Sequence, residues 1–361
     1  MRFSYFSNAD NTYPGNTRTP GELILQIVDQ AVHAEALGMH GAWVGEHHFH
    51  EFGVNASPEI VLTHIAARTS RIRLMPAVTV LPLHHPLRAA ENWATIDLLS
   101  GGRVDFALGR GFDKNEYDRF EVDFERNSDI MKEGLEIVAR AWRETGRWSH
   151  HGEFYRFDDV DIVPKPVQKD VPIYVACFSK PTVDMTCAFG FGMSIAPFAA
   201  GMAFGGVDKM IDYYRAGCAS NGLKPGAVNS SIFLHFADTP EQEAAARARQ
   251  IRFFKEISAP TMKTAARAKT NSYDYWADMS KKVAEMKPED LVSGNVLLGK
   301  PQQMIDAVGK FEAMGIEELG LYVNIGLKEH QQTKDEMQRF MEEVAPHFAG
   351  PHKAIPAQAA E

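Results

Sequence analysis

The sequence is poor in cysteine, in positive charge and in long apolar runs, and each shortage argues against a class of protein. Its three cysteines, Cys177, Cys187 and Cys218, are widely spaced and form no CxxC pair, so neither a disulfide framework nor a thiolate zinc site is expected. Lysine and arginine number 38 against 47 aspartates and glutamates, whereas nucleic acid binding requires a basic surface. No apolar run approaches the roughly 20 residues of a membrane span, and the first residues do not resemble a signal peptide. We expect a cytoplasmic protein with neither nucleic acid nor a membrane as its partner.

The residues that are present alternate between short β-like segments and amphipathic helical segments. Eight strands are predicted, at residues 2–6, 41–45, 72–81, 103–109, 171–177, 191–197, 230–238 and 318–325. Strands that alternate with helices favour an α/β fold with a parallel sheet closed into a (β/α)8 TIM barrel. An open doubly wound sheet is the alternative, but no glycine-rich dinucleotide turn follows the first strand.

Three segments depart from this alternation. Residues 258–298 are too long for an ordinary connection, so we interpret them as an insertion that could form a lid. Residues 147–166 are predicted to be a loop, and the preceding helix is expected to be capped by Asn127 or Ser128. Residues 1–348 are expected to form one barrel domain, and the polar tail 349–361 is expected to be flexible.

The stretch VGEHHFHEFG, residues 44–53, concentrates three histidines and two glutamates after the second strand. On an extended chain His48 and His50 would point the same way, as metal ligands could. Further ligands would have to come from other strand ends, which offer His235 and the pair 84–85, whereas the first strand offers none. A general acid or base and ordinary hydrogen-bonding histidines are the two other interpretations.

A second polar group is predicted after the fourth and fifth strands. Arg110 stands between two glycines, and its planar guanidinium suits a phosphate. Ser179 and Thr182 stand at the start of the following helix, where free N–H groups favour an anion. The alternatives are a surface salt bridge from Arg110 to Asp113 or Glu116, and a simple helix cap at Ser179. Since adjacent strands carry these residues, together they predict one phosphate pocket.

Four segments taken in order, residues 43–53, 78–88, 97–117 and 172–182, resemble the flavin-dependent luciferase-like monooxygenases. The resemblance extends over nearly the whole chain, to about Phe348. It implies a (β/α)8 barrel with insertions, commonly dimeric, which binds reduced FMN and uses O2 as co-substrate.

The resemblance also implies roles for individual residues. His47 matches the catalytic histidine of the family, and His48 matches its neighbour at the active site. Arg110, Ser179 and Thr182 match the groups around the FMN phosphate, in agreement with the pocket predicted above.

The remaining cofactor-binding residues implied by the resemblance lie around the flavin ring. Ala77 and Val78 coincide with a non-prolyl cis peptide under that ring. Gly109 stands where luciferase has a reactive cysteine, which weakens any inference of light emission. Phe178 stands where luciferase has a glutamate, so that its backbone alone would serve the cofactor.

The resulting hypothesis is a flavin monooxygenase that oxygenates a small, apolar organic substrate through a C4a-peroxyflavin. His47 would act as general acid or base and Glu46 would orient it. The electrons would come from NAD(P)H, directly or through a separate flavin reductase. An F420-dependent oxidoreductase on the same barrel and a non-catalytic flavin-binding relative are the alternatives. Several apolar residues could line the substrate site: Phe49, Phe52, Phe112, Phe178, Met193, Phe198, Met202 and Phe204.

Overall fold

The computed structural model describes residues 1–49, 52–268, 274–292 and 294–348. Within these ranges it describes only the backbone of residues 198, 199, 201, 202, 274 and 275. The strands are β1 (Arg2–Ser7), β2 (Gly41–Val44), β3 (Arg73–Pro76), β4 (Thr79–Val80), β5 (Phe106–Gly109), β6 (Trp148–His151), β7 (Arg156–Val160), β8 (Ile173–Ala176), β9 (Gly192–Ile195), β10 (Val228–Phe236), β11 (Val296–Gly299) and β12 (Glu318–Tyr322). The predicted tail 349–361 lies outside the described residues.

The α-helices follow the strands in the predicted alternation. They are α1 (Pro20–Ala36), α2 (Pro58–Ala66), α3 (Pro86–Ser100), α4 (Lys114–Arg119), α5 (Asn127–Arg143), α6 (Lys180–Phe189), α7 (Pro197–Phe204), α8 (Val207–Ser220), α9 (Pro240–Phe253), α10 (Ala259–Ala265), α11 (Asp274–Glu285), α12 (Pro301–Ala313) and α13 (His330–Glu343). In the part of the chain that the structure describes, no helix is both long and apolar enough to cross a bilayer.

The main sheet is a nearly closed barrel of parallel strands, which confirms the predicted fold. Its order is β3-β2-β1-β12-β10-β9-β8-β5-β4, and β3 and β4 are two halves of the predicted third strand. The barrel closes because Leu74 in β3 exchanges backbone hydrogen bonds with the segment before β5, from the Leu74 N–H to Arg103 O and from the Asp105 N–H to Leu74 O, both 2.9 Å. The carboxyl ends of all these strands therefore meet at one mouth.

The third strand is interrupted where the resemblance placed an unusual peptide. β3 ends at Pro76 and β4 begins at Thr79, and the Ala77–Val78 peptide between them is cis. The Ala77 N–H still donates to the Val44 carbonyl of β2 at 2.8 Å.

Two local predictions are wrong. The predicted loop 147–166 contains the antiparallel hairpin of β6 and β7. Neither Asn127 nor Ser128 caps α5, because a 3-10 turn at Phe124–Arg126 runs directly into this helix and makes Arg126 its N-cap. The hydroxyl of Ser128 is consequently available for another contact.

The segment predicted as an insertion is partly a continuation of its neighbours. α9 passes through a π-helical turn at Phe254–Ser258 directly into α10, and the Ser280 hydroxyl of α11 donates to the Ala259 carbonyl at 2.8 Å. At its other end the predicted range overlaps β11, which pairs with the second half of β10. The range 258–298 therefore includes one strand of the sheet at its end, and residues 269–273 and 293 within it lie outside the described residues.

Candidate functional site

A cavity lies at the barrel mouth and includes about 1480 Å³ of empty space, its opening to solvent counted. The strand ends and the loops after them supply His47, Ala77, Val78, Gly109, Arg110, Phe178 and Thr182 to its lining. The segment predicted as an insertion adds Ser258, Met262, Trp276 and Asn295. Most of the site residues predicted from sequence are therefore gathered in one cavity.

The predicted phosphate residues form a hydrogen-bonded cluster at one side of this cavity. Arg110 donates to the Ser128 hydroxyl at 2.9 Å and to the Ser179 hydroxyl at 3.4 Å. The hydroxyls of Ser179 and Thr182 are 3.0 Å apart. Ser179 is the N-cap residue of α6, but its side chain makes no capping hydrogen bond, so a simple helix cap does not account for it. Sequence reasoning missed Ser128, whose hydroxyl was interpreted as a cap.

The floor of the cavity beside this cluster has room for backbone and little else. A Cβ atom added at Gly109 would lie 2.8 Å from the Val78 Cγ2 atom and 3.4 Å from the Ala176 Cβ atom. A cysteine at this position would thus push against Val78, which follows the cis peptide. Glycine at position 109 is explained by this close approach.

His47 faces the cavity from the loop after β2. Its backbone N–H donates to the Asn55 carbonyl at 2.9 Å, and its ring meets Phe52 edge-on with centroids 4.5 Å apart. The His47 Nδ1 atom lies 3.8 Å from Glu116 Oε1, and Glu116 is only 2% exposed. Glu116 lies in the short helix α4, and its position in the sequence gave no signal for this contact. Glu116, which sequence reasoning considered only as a salt-bridge partner of Arg110, is therefore the carboxylate next to His47.

Glu46 contacts other histidines than the predicted one. Its Oε1 atom lies 3.0 Å from His48 Nε2 and 2.8 Å from His84 Nε2, and its Oε2 atom accepts the Val80 N–H at 3.2 Å. Glu46 therefore positions His48 and His84, and the prediction that it orients His47 is wrong.

The protonation of this group follows from its contacts. Burial alone would raise the pKa of Glu46, but the hydrogen bonds from His48 and His84 outweigh it and lower the pKa below the ordinary 4.5. Burial lowers the pKa of His84, and its hydrogen bond to Glu46 reverses this and raises the pKa above the ordinary 6.5. Glu46 and His84 are consequently held as an ion pair beside the cavity.

The geometry around the other histidines does not favour the metal interpretation. Phe49 has φ 59°, so the chain between His48 and His50 is not extended as that interpretation assumed. His50 itself lies outside the described residues. His235 is buried against Gln250, with Nε2 2.9 Å from Oε1, and burial lowers its pKa well below the ordinary range. Among the residues that the structure describes, no cluster of three or more histidines, cysteines and carboxylates could hold a metal ion.

Aromatic side chains make up much of the remaining wall. Of the predicted wall residues, Phe52, Phe112 and Phe178 line the cavity, whereas Phe49 is 57% exposed and Met193 is buried in the barrel core. Phe204 packs against Tyr213 instead, and the side chains of Phe198 and Met202 lie outside the described ones. Sequence reasoning missed further aromatic lining residues because they lie on strands and helices distant in the chain: Phe6, Trp43, Phe233, Phe253, Phe254, Trp276 and Tyr322.

Comparisons with known proteins agree with this architecture. A family model described as luciferase-like monooxygenase matches residues 1–318. The oxygenase component of a flavin-dependent trigonelline monooxygenase from Acinetobacter baylyi is 24% identical over 353 residues, which cover 97% of this chain and 96% of that protein. The alkanal monooxygenase alpha chain of Photobacterium leiognathi is 25% identical and covers 92% of this chain and 96% of its own length.

Solved structures share the fold over nearly the full length. A monooxygenase from Streptomyces bottropensis superposes with a TM-score of 0.77 at 25% identity, covering 97% of this chain and 100% of that one. The oxygenating constituent of 3,6-diketocamphane monooxygenase from Pseudomonas putida, in complex with FMN, gives 0.76 at 18% identity, with 98% and 99% covered. An F420-dependent secondary alcohol dehydrogenase gives 0.74 at 16% identity, with 97% and 99% covered, which shows the fold alone. The chain belongs to the luciferase-like monooxygenase family, and the protein is an oxidoreductase.

Proposed function

We propose that this protein binds reduced FMN at the barrel mouth and uses O2 to oxygenate a small, apolar organic substrate. The observation that carries the proposal is the cluster of Arg110, Ser179 and Thr182. It sets one guanidinium and two hydroxyls together at a helix start, and the Ser179 side chain does not cap that helix. Such donors suit a phosphate group.

The adjoining surface fits the flat ring of the same cofactor. The Ala77–Val78 segment and Gly109 offer backbone and small side chains, and Phe178 would contribute through its main chain. When bound, reduced FMN would supply the electrons that activate dioxygen.

The side chains of this protein would transfer protons and exclude water. His47 lies in the cavity wall, with its Nδ1 atom 3.8 Å from Glu116 Oε1, and it would act as general acid or base toward the substrate. His48 stands next to it, held by Glu46 and by its own N–H, which donates to Glu116 at 2.7 Å. The aromatic wall and the helices α10 and α11 would keep water from the reacting groups.

A binding titration tests the cofactor assignment directly. FMN and F420 are titrated separately into the purified protein, and binding is followed by the quenching of cofactor fluorescence. We expect FMN to bind tighter, and Arg110→Ala to weaken FMN by about a hundredfold, since charge-assisted hydrogen bonds to a phosphate are lost. Arg88→Ala, on an exposed helix face, serves as the control. Tighter binding of F420 would favour the hydride-transfer alternative.

Oxygen uptake tests the reaction itself. Enzymatically reduced FMN is supplied with aldehydes, ketones and terpenes, and substrate-dependent oxygen consumption is measured against product formation. A non-catalytic flavin-binding relative would bind FMN without such uptake. Omitting the reductase and adding NAD(P)H alone shows whether a separate reductase partner is needed.

A homodimer is part of the same proposal. Ile60 in α2 is 66% exposed, and Leu98 and Leu99 at the end of the neighbouring α3 are 48% and 63% exposed. Large apolar side chains exposed on adjacent helices favour an interface between subunits. Sedimentation of the native chain and of an Ile60→Glu, Leu99→Glu variant tests this: the variant is expected to be monomeric.

A further inference from the structure

The wall next to His47 is a continuous chain of aromatic contacts. His47 meets Phe52 edge-on, Phe52 meets Phe112 edge-on at 5.7 Å, and Phe112 stacks on Trp276 with centroids 4.7 Å and planes 14° apart. Trp276 also lies 6.0 Å from Phe178, on the phosphate side of the cavity. A substrate placed beside His47 would therefore lie against Phe52, Phe112 and Trp276, which line the cavity.

The lining provides little positive charge for a substrate. Among the lining residues that the structure describes, Arg110 carries the one permanent positive charge, and it lies in the cluster assigned to the FMN phosphate. An anionic group on the substrate would consequently be taken out of water without a cationic partner, which is costly.

The carboxylates of the lining are engaged by the protein itself. Glu46 accepts from His48 and His84, and Glu116 accepts the His48 N–H. Asp113 accepts the Asn115 N–H at 2.8 Å and the Thr264 hydroxyl at 2.7 Å. Each of the three carboxylates therefore has at least one donor within the protein, and both donors of Asp113 reach its Oδ1 atom.

We propose that the substrate is a neutral aromatic or fused-ring compound that packs against Phe112 and Trp276 beside His47. The proposal rests on the proposed function and deepens it, because it assigns a chemical class to the organic substrate. Aromatic pairs prefer stacked or edge-to-face geometry, and an aromatic substrate could adopt either against these rings. Trp276 comes from α11, so the predicted insertion would determine specificity.

Calorimetric titration of the FMN-loaded protein with two matched ligands tests the charge requirement. The ligands are 2-naphthaldehyde and its carboxylate 2-naphthoate, which share one ring system. We expect the aldehyde to bind at least about a hundredfold tighter, because the carboxylate would lose its hydration in an apolar wall. Equal affinity, or tighter binding of the carboxylate, would overturn the proposal. Loss of FMN binding in the same preparation would instead count against the proposed function.

The stacking requirement is tested with decanal as a ring-free ligand. Trp276→Leu is expected to weaken 2-naphthaldehyde by about tenfold and decanal by no more than about twofold. Trp276→Phe, which keeps a ring, should retain most of the affinity for the aldehyde. Phe112→Leu repeats the measurement from the other ring if Trp276→Leu does not fold, and Trp148→Leu, on the remote β6, is the matched control. A loss equal for both ligands would refute the stacking role.

Discussion

Two buried glutamates at opposite ends of the barrel differ in their ionisation. Glu46 lies at the mouth and is 1% exposed, and Glu318 lies at the start of β12, at the base, and is 3% exposed. Burial raises the pKa of both carboxyls, but hydrogen bonds from His48 and His84 lower that of Glu46 below its ordinary value, whereas the pKa of Glu318 is raised to about 7.

The difference follows from the distance of the cationic partners. Glu46 has imidazole nitrogens at 2.8 and 3.0 Å. Glu318 has Arg2 at 3.5 Å and His40 at 3.7 Å, and its closest partner is the neutral Ser4 hydroxyl at 2.5 Å. Burial alone does not decide the charge of a carboxyl group: two imidazole hydrogen bonds outweigh it at Glu46, whereas the hydroxyl hydrogen bond of Ser4 does not outweigh it at Glu318. Glu46 thus stays ionised next to the proposed reaction site, whereas Glu318 at the base titrates near pH 7.

The largest expected effect is on turnover and comes from removing His47 at the mouth, with His40 at the base as its counterpart. His47 and His40 stand at similar distances from a buried glutamate, 3.8 Å and 3.7 Å. We expect His47→Ala to lower turnover by about 10²–10⁴-fold, because a general acid or base is lost, and to leave FMN affinity nearly unchanged. Substrate-dependent oxygen uptake and FMN titration are the measurements.

His40→Ala is the matched control at the base. It should leave turnover within about twofold, since His40 lies far from the mouth. If His47→Ala turned over at the rate of the native chain, the role assigned to His47 would be wrong.

The two glutamates themselves give the next largest effect. At pH 6, Glu46→Gln is expected to lower the free energy of unfolding by about 3 kcal/mol, because the protonated His84, whose pKa is raised above 6.5, would lose its buried counter-ion. Glu318→Gln should change it by less than about 1 kcal/mol, since Arg2 and His40 lie 3.5 and 3.7 Å away and the closest partner is a neutral hydroxyl. Urea unfolding at equilibrium measures both. Equal losses of stability in the two variants would contradict the difference in ionisation between Glu46 and Glu318.

The sequence predicted the elements of the mouth better than the contacts made there. All eight barrel strands were predicted, and so was the clustering of residues 110, 179 and 182, because strand alternation and residue type are local signals. The hairpin of β6 and β7 was missed because its residues are mostly exposed or half-buried and show no apolar period.

The wrong assignment of Glu46 has a geometric cause. Adjacency in sequence suggested His47 as its partner, but the chain turns after β2 so that His48 Nε2 faces Glu46, and His84 approaches from the segment after β4. Glu116 and Trp276 reach the cavity from residues far along the chain. Such contacts depend on tertiary packing, which no local pattern contains.

Glu318 is expected to make the stability of the protein depend on pH. Its folded-state pKa of about 7 lies above the ordinary 4.5, so the folded state holds the proton more tightly than the unfolded chain does. The stability that it contributes is full below pH 4.5 and is lost as the pH rises through about 7. Relative to Glu318→Gln, the native chain should therefore lose roughly 2 kcal/mol between about pH 5 and pH 9. A difference that does not vary with pH would contradict the raised pKa.

His84→Gln is expected to give the smallest effect. It tests the Glu46–His84 ion pair at the mouth through the pH range in which this pair stabilises the protein. The pKa of His84 is raised above 6.5 and that of Glu46 is lowered below 4.5. The contribution of His84 is therefore full below pH 6.5 and is lost as the pH rises through its folded-state value, whereas that of Glu46 is full above pH 4.5 and is lost as the pH falls through its own. The native chain should exceed His84→Gln in stability by about 1 kcal/mol between these limits, and by less on either side. Urea unfolding across this range measures the window, with His40→Gln as the control at the base. A stability difference that grew with rising pH would show that His84 is neutral in the folded protein, and the charged pair at the mouth would then be wrong.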